Sequence, residues 1–280
     1  MEKIKLADKR TAIVLGAFLI CVIAGVVFEK VFVVSGVDAA NIRWSYNTLT
    51  RTLRFETTEK SERKMQNYDA CGDDEYSSGA PWWKYKNKCR HVAFGDGIVR
   101  VGELTCSGFE KLESVSFSDD VQEIAFEAFS MCKNLDSVHC SNGIKKICVD
   151  AFEESGLKSV KLNEGLKAIE RGAFYSTEIK EVIFPNSVEE LGEGAFMRCD
   201  YLEKVRISKG IKTIGEKVFF ESYALKKVKI ESKNIIEVSD AAFEEMNPEV
   251  VVEVPKEKYD EYKEMLYTHG LPETAKVVAY

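Results

Sequence analysis

The side chains able to do chemistry are few and scattered. Three histidines, His91, His139 and His269, are spread over a chain of 280 residues, and none falls in an H-x-x-x-H or H-E-x-x-H spacing that would bring two imidazoles together. Zinc sites and Ser-His-Asp relays both require such groups to converge. The eight cysteines, Cys21, Cys71, Cys89, Cys106, Cys132, Cys140, Cys148 and Cys199, form no C-x-x-C pair, so the redox motif and the zinc knuckle lack support. Gly192-Glu193-Gly194 belongs to neither a Walker loop nor a dinucleotide fingerprint. Carboxylates are abundant, but many sit beside lysines and they show no calcium-loop spacing. The expectation is a chain that is not an enzyme, with no catalytic, metal-binding or cofactor-binding residue and no cofactor.

What must position any functional surface is a repeat. Aligning on the aromatic of an Ala-Phe pair gives Cys106, Phe129, Phe152, Phe174, Phe196, Phe219 and Phe243, at spacings of 23, 23, 22, 22, 23 and 24. Seven units follow, starting near Ile98, Val121, Ile144, Leu166, Val188, Ile211 and Ile235. Each opens with two apolar residues three apart, reaches the Phe in a compact turn or single helical turn, and ends in an alternating run such as Leu202-Glu-Lys-Val205-Arg-Ile207. A unit of this length cannot bury its own apolar face, so the units must stack and share one core. The spacing predicts a solenoid with one ladder of short parallel strands, buried Phe side chains, and positive-φ turns at Gly97, Gly143, Gly165 and Gly210.

The runs GIKKICVDAF (143–152) and GLKAIERGAF (165–174) resemble the BspA-like class of leucine-rich repeats found in bacterial surface and cell-envelope proteins. A Cys three residues after the Phe, at Cys132 and Cys199, is similar to that class, as are YSSGAPW (76–82) ahead of the array and Val254-Pro255 with KEKYDEYKEM behind it. The resemblance covers about Trp44 to the carboxyl end, and Cys106 in the Phe position marks an atypical first unit. It implies an α/β solenoid, a leucine-rich repeat arc displayed outside the cell and used in adhesion or protein recognition, but no particular ligand.

The flanking segments complete the expected organisation. Asn41 to Glu56 alternates like a hairpin or two short strands. Trp82, Trp83 and Tyr85 either plug the open end of the array or form a ligand platform, and Cys71 and Cys89 on either side of them are the candidate disulfide. Tyr259, Tyr262 and Leu266 lie at helical spacing before Gly270 and Pro272, which predicts a capping helix, and the last residues suit a short strand. At the other end, Thr11 to Phe28 holds eighteen residues without a charge behind a basic start. That reads as one transmembrane signal-anchor helix at 11–34, with cleavage before Ala40 as the alternative. The expected domains are a cytoplasmic tail (1–10), the span (11–34), a linker and cap (35–91), the repeats (92–255) and a terminal cap (256–280). By the positive-inside rule the repeats would then lie outside the cell membrane.

Function must therefore sit on outward strand positions. They run from small and polar (Ser114, Ser116, Ser137, His139, Ser159) to basic (Lys161, Lys204, Arg206, Lys227, Lys229). The candidate recognition face is Ser137, His139, Lys161, Lys204, Arg206, Lys227 and Lys229, with the last four contributing most. Its partner would be a protein or an anionic cell-envelope polymer. A net charge of -7 argues against nucleic acid. The competing expectation is a structural envelope spacer with no specific ligand.

Overall fold

The computed structural model describes residues 32–57, 62–68 and 79–280. Its repeats wind as coils that each lay down two short strands, giving two parallel ladders where one was expected. The face ladder begins with β1 (Val33–Val37), β2 (Ile42–Asn47) and β3 (Thr52–Thr57), and the back ladder with β4 (Arg63–Lys64). The strands then alternate between ladders: β5 (His91–Phe94), β6 (Ile98–Val101), β7 (Ser114–Phe117), β8 (Glu123–Ile124), β9 (Ser137–His139), β10 (Lys146–Ile147), β11 (Ser159–Lys161) and β12 (Ala168–Ile169). They continue as β13 (Glu181–Ile183), β14 (Glu190–Leu191), β15 (Lys204–Ile207), β16 (Thr213–Ile214), β17 (Lys227–Ile230), β18 (Glu237–Val238) and β19 (Val251–Val254). Helix α1 (Tyr259–Thr268) and strand β20 (Lys276–Ala279) finish the chain. The back ladder is one sheet from β4 to β18, while the face ladder is three sheets, ending in β7, in β11 and in β20.

The architecture is a β-solenoid, which corrects the expectation of an α/β solenoid. The repeats hold no α-helix among the described residues; α1 lies beyond the last repeat. Between the two strands of a coil the chain turns too sharply for a helix, because two positions per coil are left-handed. They lie two residues before and two after the Phe: Glu127 and Met131, Asp150 and Glu154, Gly172 and Ser176, Gly194 and Arg198, Lys217 and Glu221, Ala241 and Glu245. Left-handed residues interrupt a right-handed helix within a turn.

Those turns stack as a third ladder. Phe129 N–H donates to Ala151 O and Phe152 N–H to Ala173 O, both at 2.9 Å, and the pattern continues to Phe243 N–H and His269 O in the terminal cap. The Phe rings stack with it: neighbours from Phe129 to Phe243 have centroids 5.0 to 6.3 Å apart, all near parallel. All six members of that row are fully buried. The core lies between this stack and the two strand ladders, each coil adding residues such as Val121, Ile124, Leu135 and Val138. Full burial of each such side chain stabilises by roughly 1.5–3 kcal/mol relative to exposure.

The glycines before each coil work differently from the expectation. Gly97 has φ of 80°, but Gly143, Gly165 and Gly210 do not enter the positive-φ region. At Gly143 a Cβ would stand 1.8 Å from Asp119 O, and at Gly210 1.9 Å from Asn186 O, so these positions need close coil-to-coil approach.

Both ends are capped. Trp82 is fully buried, sends its Nε1–H to Thr105 O at 2.8 Å, and meets Phe55, Tyr68 and Trp44 edge-on. It fills the space beside Cys106, where the Phe row stops. At the other end Tyr262 and Leu266 of α1 bury against the last coil, and Tyr262 Oη accepts Ile235 N–H.

The expected span at 11–34 is also corrected. No helix of the described residues is long and apolar enough to cross a membrane. Val33 and Val34, its last two residues, are β1, paired antiparallel with β2. The β-branched valines favour a strand there, and buried Asp38 closes the following turn by accepting Ala40 N–H and Ile42 N–H. Cleavage before Ala40 would cut that turn and detach β1. Residues 1–31, including the expected tail and the rest of the span, lie outside the described residues. Membrane anchorage, single-pass topology and extracellular placement therefore drop out of the functional argument.

Candidate functional site: the outer side of the face ladder

Parallel register turns the outward residues of the face ladder into two rows. One runs Thr52, His91, Ser114 and, farther along, Ser137, Ser159, then Glu181, Lys204, Lys227, Val251 and Lys276. The other carries Arg54, Ala93, Ser116, then His139, Lys161, then Ile183, Arg206, Lys229, Glu253 and Val278. All seven candidate recognition residues thus lie on one surface. His139 is exposed on β9, and His91 Nδ1 sits 2.9 Å from Ser114 Oγ. His269 is remote, in the terminal cap. Among the described residues no group of three or more His, Cys, Asp or Glu is placed to hold a metal ion.

The charges at the basic end are largely satisfied within the ladder. Arg206 reaches Glu231 at 3.0 Å, Lys229 reaches the same carboxylate at 3.5 Å, and Lys227 meets Glu253 at 2.7 Å. Burial pushes the Glu231 carboxyl up, but Arg206 and Lys229 outweigh it and hold the group below its ordinary range. Lys229 also lies 4.5 Å from the Tyr280 ring centre. Of the four basic residues only Lys204 makes no ion pair among the described residues, so the basic patch legible in sequence is mostly a set of intra-ladder pairs. Glu231 and Glu253 were not legible as partners, since they sit 25 and 26 residues from Arg206 and Lys227 and only coil register joins them.

A break in the ladder marks the middle of this surface. β11 and β13 are neighbours without strand pairing. Where Ser118 donates its N–H to Phe94 O and Glu231 donates to Ile207 O, the equivalent residue is Pro185, which has no N–H to give. The two strands part there into a groove of about 360 Å³ lined by Lys161, Glu164, Glu181, Ile183, Pro185 and Arg206. Ile183 is 50% exposed at its rim, an aliphatic side chain among the charged residues of the groove. Farther along the same side, the terminal hairpin carries a depression of about 740 Å³ over Ser35, Arg43, Ser45, Thr52 and Arg54.

The cysteines are core atoms. Cys132 and Cys199 are fully buried, each with its Sγ 3.2 Å from a backbone carbonyl, Cys106 O and Phe174 O respectively. Burial pushes the thiols up, to about 11 at Cys199 and about 12 at Cys140 and Cys148, so they remain protonated and weakly nucleophilic. Cys89 is buried with Sγ 3.3 Å from His91 O, and its expected partner Cys71 lies outside the described residues. On the turn side, burial together with the carboxylates of Asp150, Glu127 and Glu154 pushes Glu153 up to about 7.

A solenoid of this kind, with stacked Phe turns and no assembled catalytic group among its described residues, defines a repeat module. The BspA type leucine-rich repeat region matches residues 83–177 and 122–249, more than half of the chain, and the chain belongs to that family. It is similar to the crystal structure of a leucine rich cell surface protein from Faecalibacterium prausnitzii, at 17% identity over 78% of this chain and 76% of that one, TM-score 0.42. It is also similar to a leucine-rich repeat protein from Bacteroides ovatus, at 16% identity, 88% and 75% coverage and TM-score 0.39. A third similar structure is the T. pallidum leucine rich repeat protein, at 17% identity, 84% and 98% coverage and TM-score 0.43. No curated protein matches the chain.

Proposed function

We propose that this chain is a non-catalytic recognition module that binds a protein partner across the outer side of its face ladder, centred on the groove at Ile183. The observation that carries the reading is the half-exposed Ile183 at the ladder break, flanked by Lys161 in the preceding coil and Arg206 in the next, with Lys204 on the neighbouring row opposite Glu181. An apolar anchor ringed by charged groups is the usual anatomy of a binding hot spot. Pairing of Arg206, Lys227 and Lys229 with carboxylates weakens the reading in which an anionic polymer is bound by bare positive charge. Ser137 and His139 extend the contact toward the polar end, and Lys161 and Lys204 set its charge preference.

The test is saturable binding to intact bacterial cells, measured for wild type, Ile183→Asp and Lys161→Glu/Lys204→Glu. The reading expects both variants to lose at least tenfold in affinity while keeping the wild-type melting temperature. Equal binding by all three, or binding that never saturates, points instead to a spacer without a specific ligand.

A further inference from the structure

The two ends of the face ladder are finished in opposite ways. At the carboxyl end, β20 is the last strand, and its even-numbered residues bond to β19: Lys276 N–H donates to Val250 O and Tyr280 N–H to Val254 O. The carbonyls that point outward are met by tyrosines. Tyr259 Oη lies 3.5 Å from Val277 O and Tyr267 Oη 2.8 Å from Ala275 O, while Lys276 adds an exposed charge. Hydroxyl cover and an edge lysine are devices that keep a strand from pairing with another chain.

At the amino end, β1 has none of them among the described residues. Thr48 N–H donates to Phe32 O and Asp38 N–H to Ile42 O, so Phe32, Val34, Gly36 and Asp38 face β2. The N–H and C=O groups of Val33, Ser35 and Val37 therefore point away from the sheet and make no hydrogen bond among the described residues. The strand VVSGV carries no charge and no proline, and Val34 and Val37 are 42% and 54% exposed. Gly36 keeps it flat against the Trp44 ring, where a Cβ would come within 2.7 Å of the indole.

We propose that β1 is a homodimerisation edge, pairing antiparallel with β1 of a second copy about a two-fold axis at Ser35. The strand is complementary to itself in that register. Ser35 faces Ser35 of the other copy, and Val33 faces its Val37, so all three outward pairs exchange N–H···O bonds. No charge is brought opposite a like charge. The nearest charged residue in the row is Arg43, paired with Val37 on β2; it would face Asn47 of the other copy from about 14 Å, beyond the usual screening length. Two five-stranded sheets would merge into one continuous surface, doubling the area offered to any partner.

The experiment uses the full chain, with sedimentation velocity over a hundredfold range of concentration. Wild type is expected to show a concentration-dependent dimer. Ser35→Lys and Ser35→Glu, at an exposed side chain off the core, should each raise the dissociation constant at least tenfold, and an equimolar mixture of the two should restore dimers. That rescue depends on Ser35 meeting its own counterpart, so association through any other segment cannot produce it. Ser35→Cys should in addition give an intermolecular disulfide under mild oxidation, since directly opposed residues stand about 5.5 Å apart at Cα. A wild type that stays monomeric, or charged variants that dimerise as wild type does, overturns the proposal.

Discussion

The Phe turn ladder and the outer face ladder are built from the same coils, yet they differ in how far each coil copies the next. On the turn side the same atoms recur in the five coils from Phe129 to Phe219: an Ala or Val before the Phe, a left-handed residue on either side, and a small buried residue, Cys132, Ser155, Thr177, Cys199 or Ser222, three positions on. On the outer face no two successive coils present the same pair of side chains after Ser116. The stacked side cannot vary, because each Phe fills a space bounded by its two neighbours; the outer face is solvent-facing and its side chains are not held by core packing. Stability is thus written in the uniform region, and the recognition proposed for this chain in the variable one.

Substitutions on each side should separate these roles. The largest effect belongs to the stack. Phe174→Ala should cost about 3–5 kcal/mol in chemical denaturation, while Ile183→Ala on the outer face should stay within about 0.5 kcal/mol. Gly143→Ala, which forces a Cβ onto Asp119 O, should cost about 1–3 kcal/mol, and a loss near zero would show that the coils can spread apart. Next come the left-handed positions. Lys217→Gly should stabilise by up to about 1 kcal/mol because its φ of 53° strains any side chain, and Gly194→Ala should lose a similar amount.

A smaller effect distinguishes the turn side by pH. Glu153 is held up at about 7 against an ordinary 4.5, so the folded chain binds more protons than the unfolded chain between those values. Its contribution to stability is present at low pH and is lost as pH rises toward and through 7. Glu153→Gln, which removes the charge, should therefore raise the melting temperature more at pH 8 than at pH 5. The smallest effect is expected at the exposed Lys204, where Ala should change stability by no more than about 0.5 kcal/mol whatever it does to binding.

How much of this was legible follows the same division. The period of the Phe positions announced a stacked array, and the alternation around Trp44 and Leu53 announced the hairpin of β2 and β3, because both patterns come from burial. The second strand ladder was hidden, since strands of two residues such as Glu123–Ile124 are too short for alternation to register. The α/β expectation failed because left-handed backbone at residues such as Glu127 and Asp150 leaves no mark in side-chain pattern. The apolar run before Val33 looked like a span reaching Val34, but Val33 and Val34 join a sheet whose partner lies in the following segment. On the outer face the alternation of each strand showed which residues point outward, whereas their mutual neutralisation depended on coil register.

The measurement that bears most directly on the division between a structural and a recognising side places a photo-crosslinking residue at Ile183 on the outer face and, separately, at the exposed Ile236 on the far ladder. Both versions should fold alike. Crosslinking on cells should then give a discrete, saturable adduct from position 183 that is lost with Lys161→Glu/Lys204→Glu, and none from position 236. The same adducts from both positions, or none that saturates from 183, would contradict the assignment of recognition to the variable side of the coils.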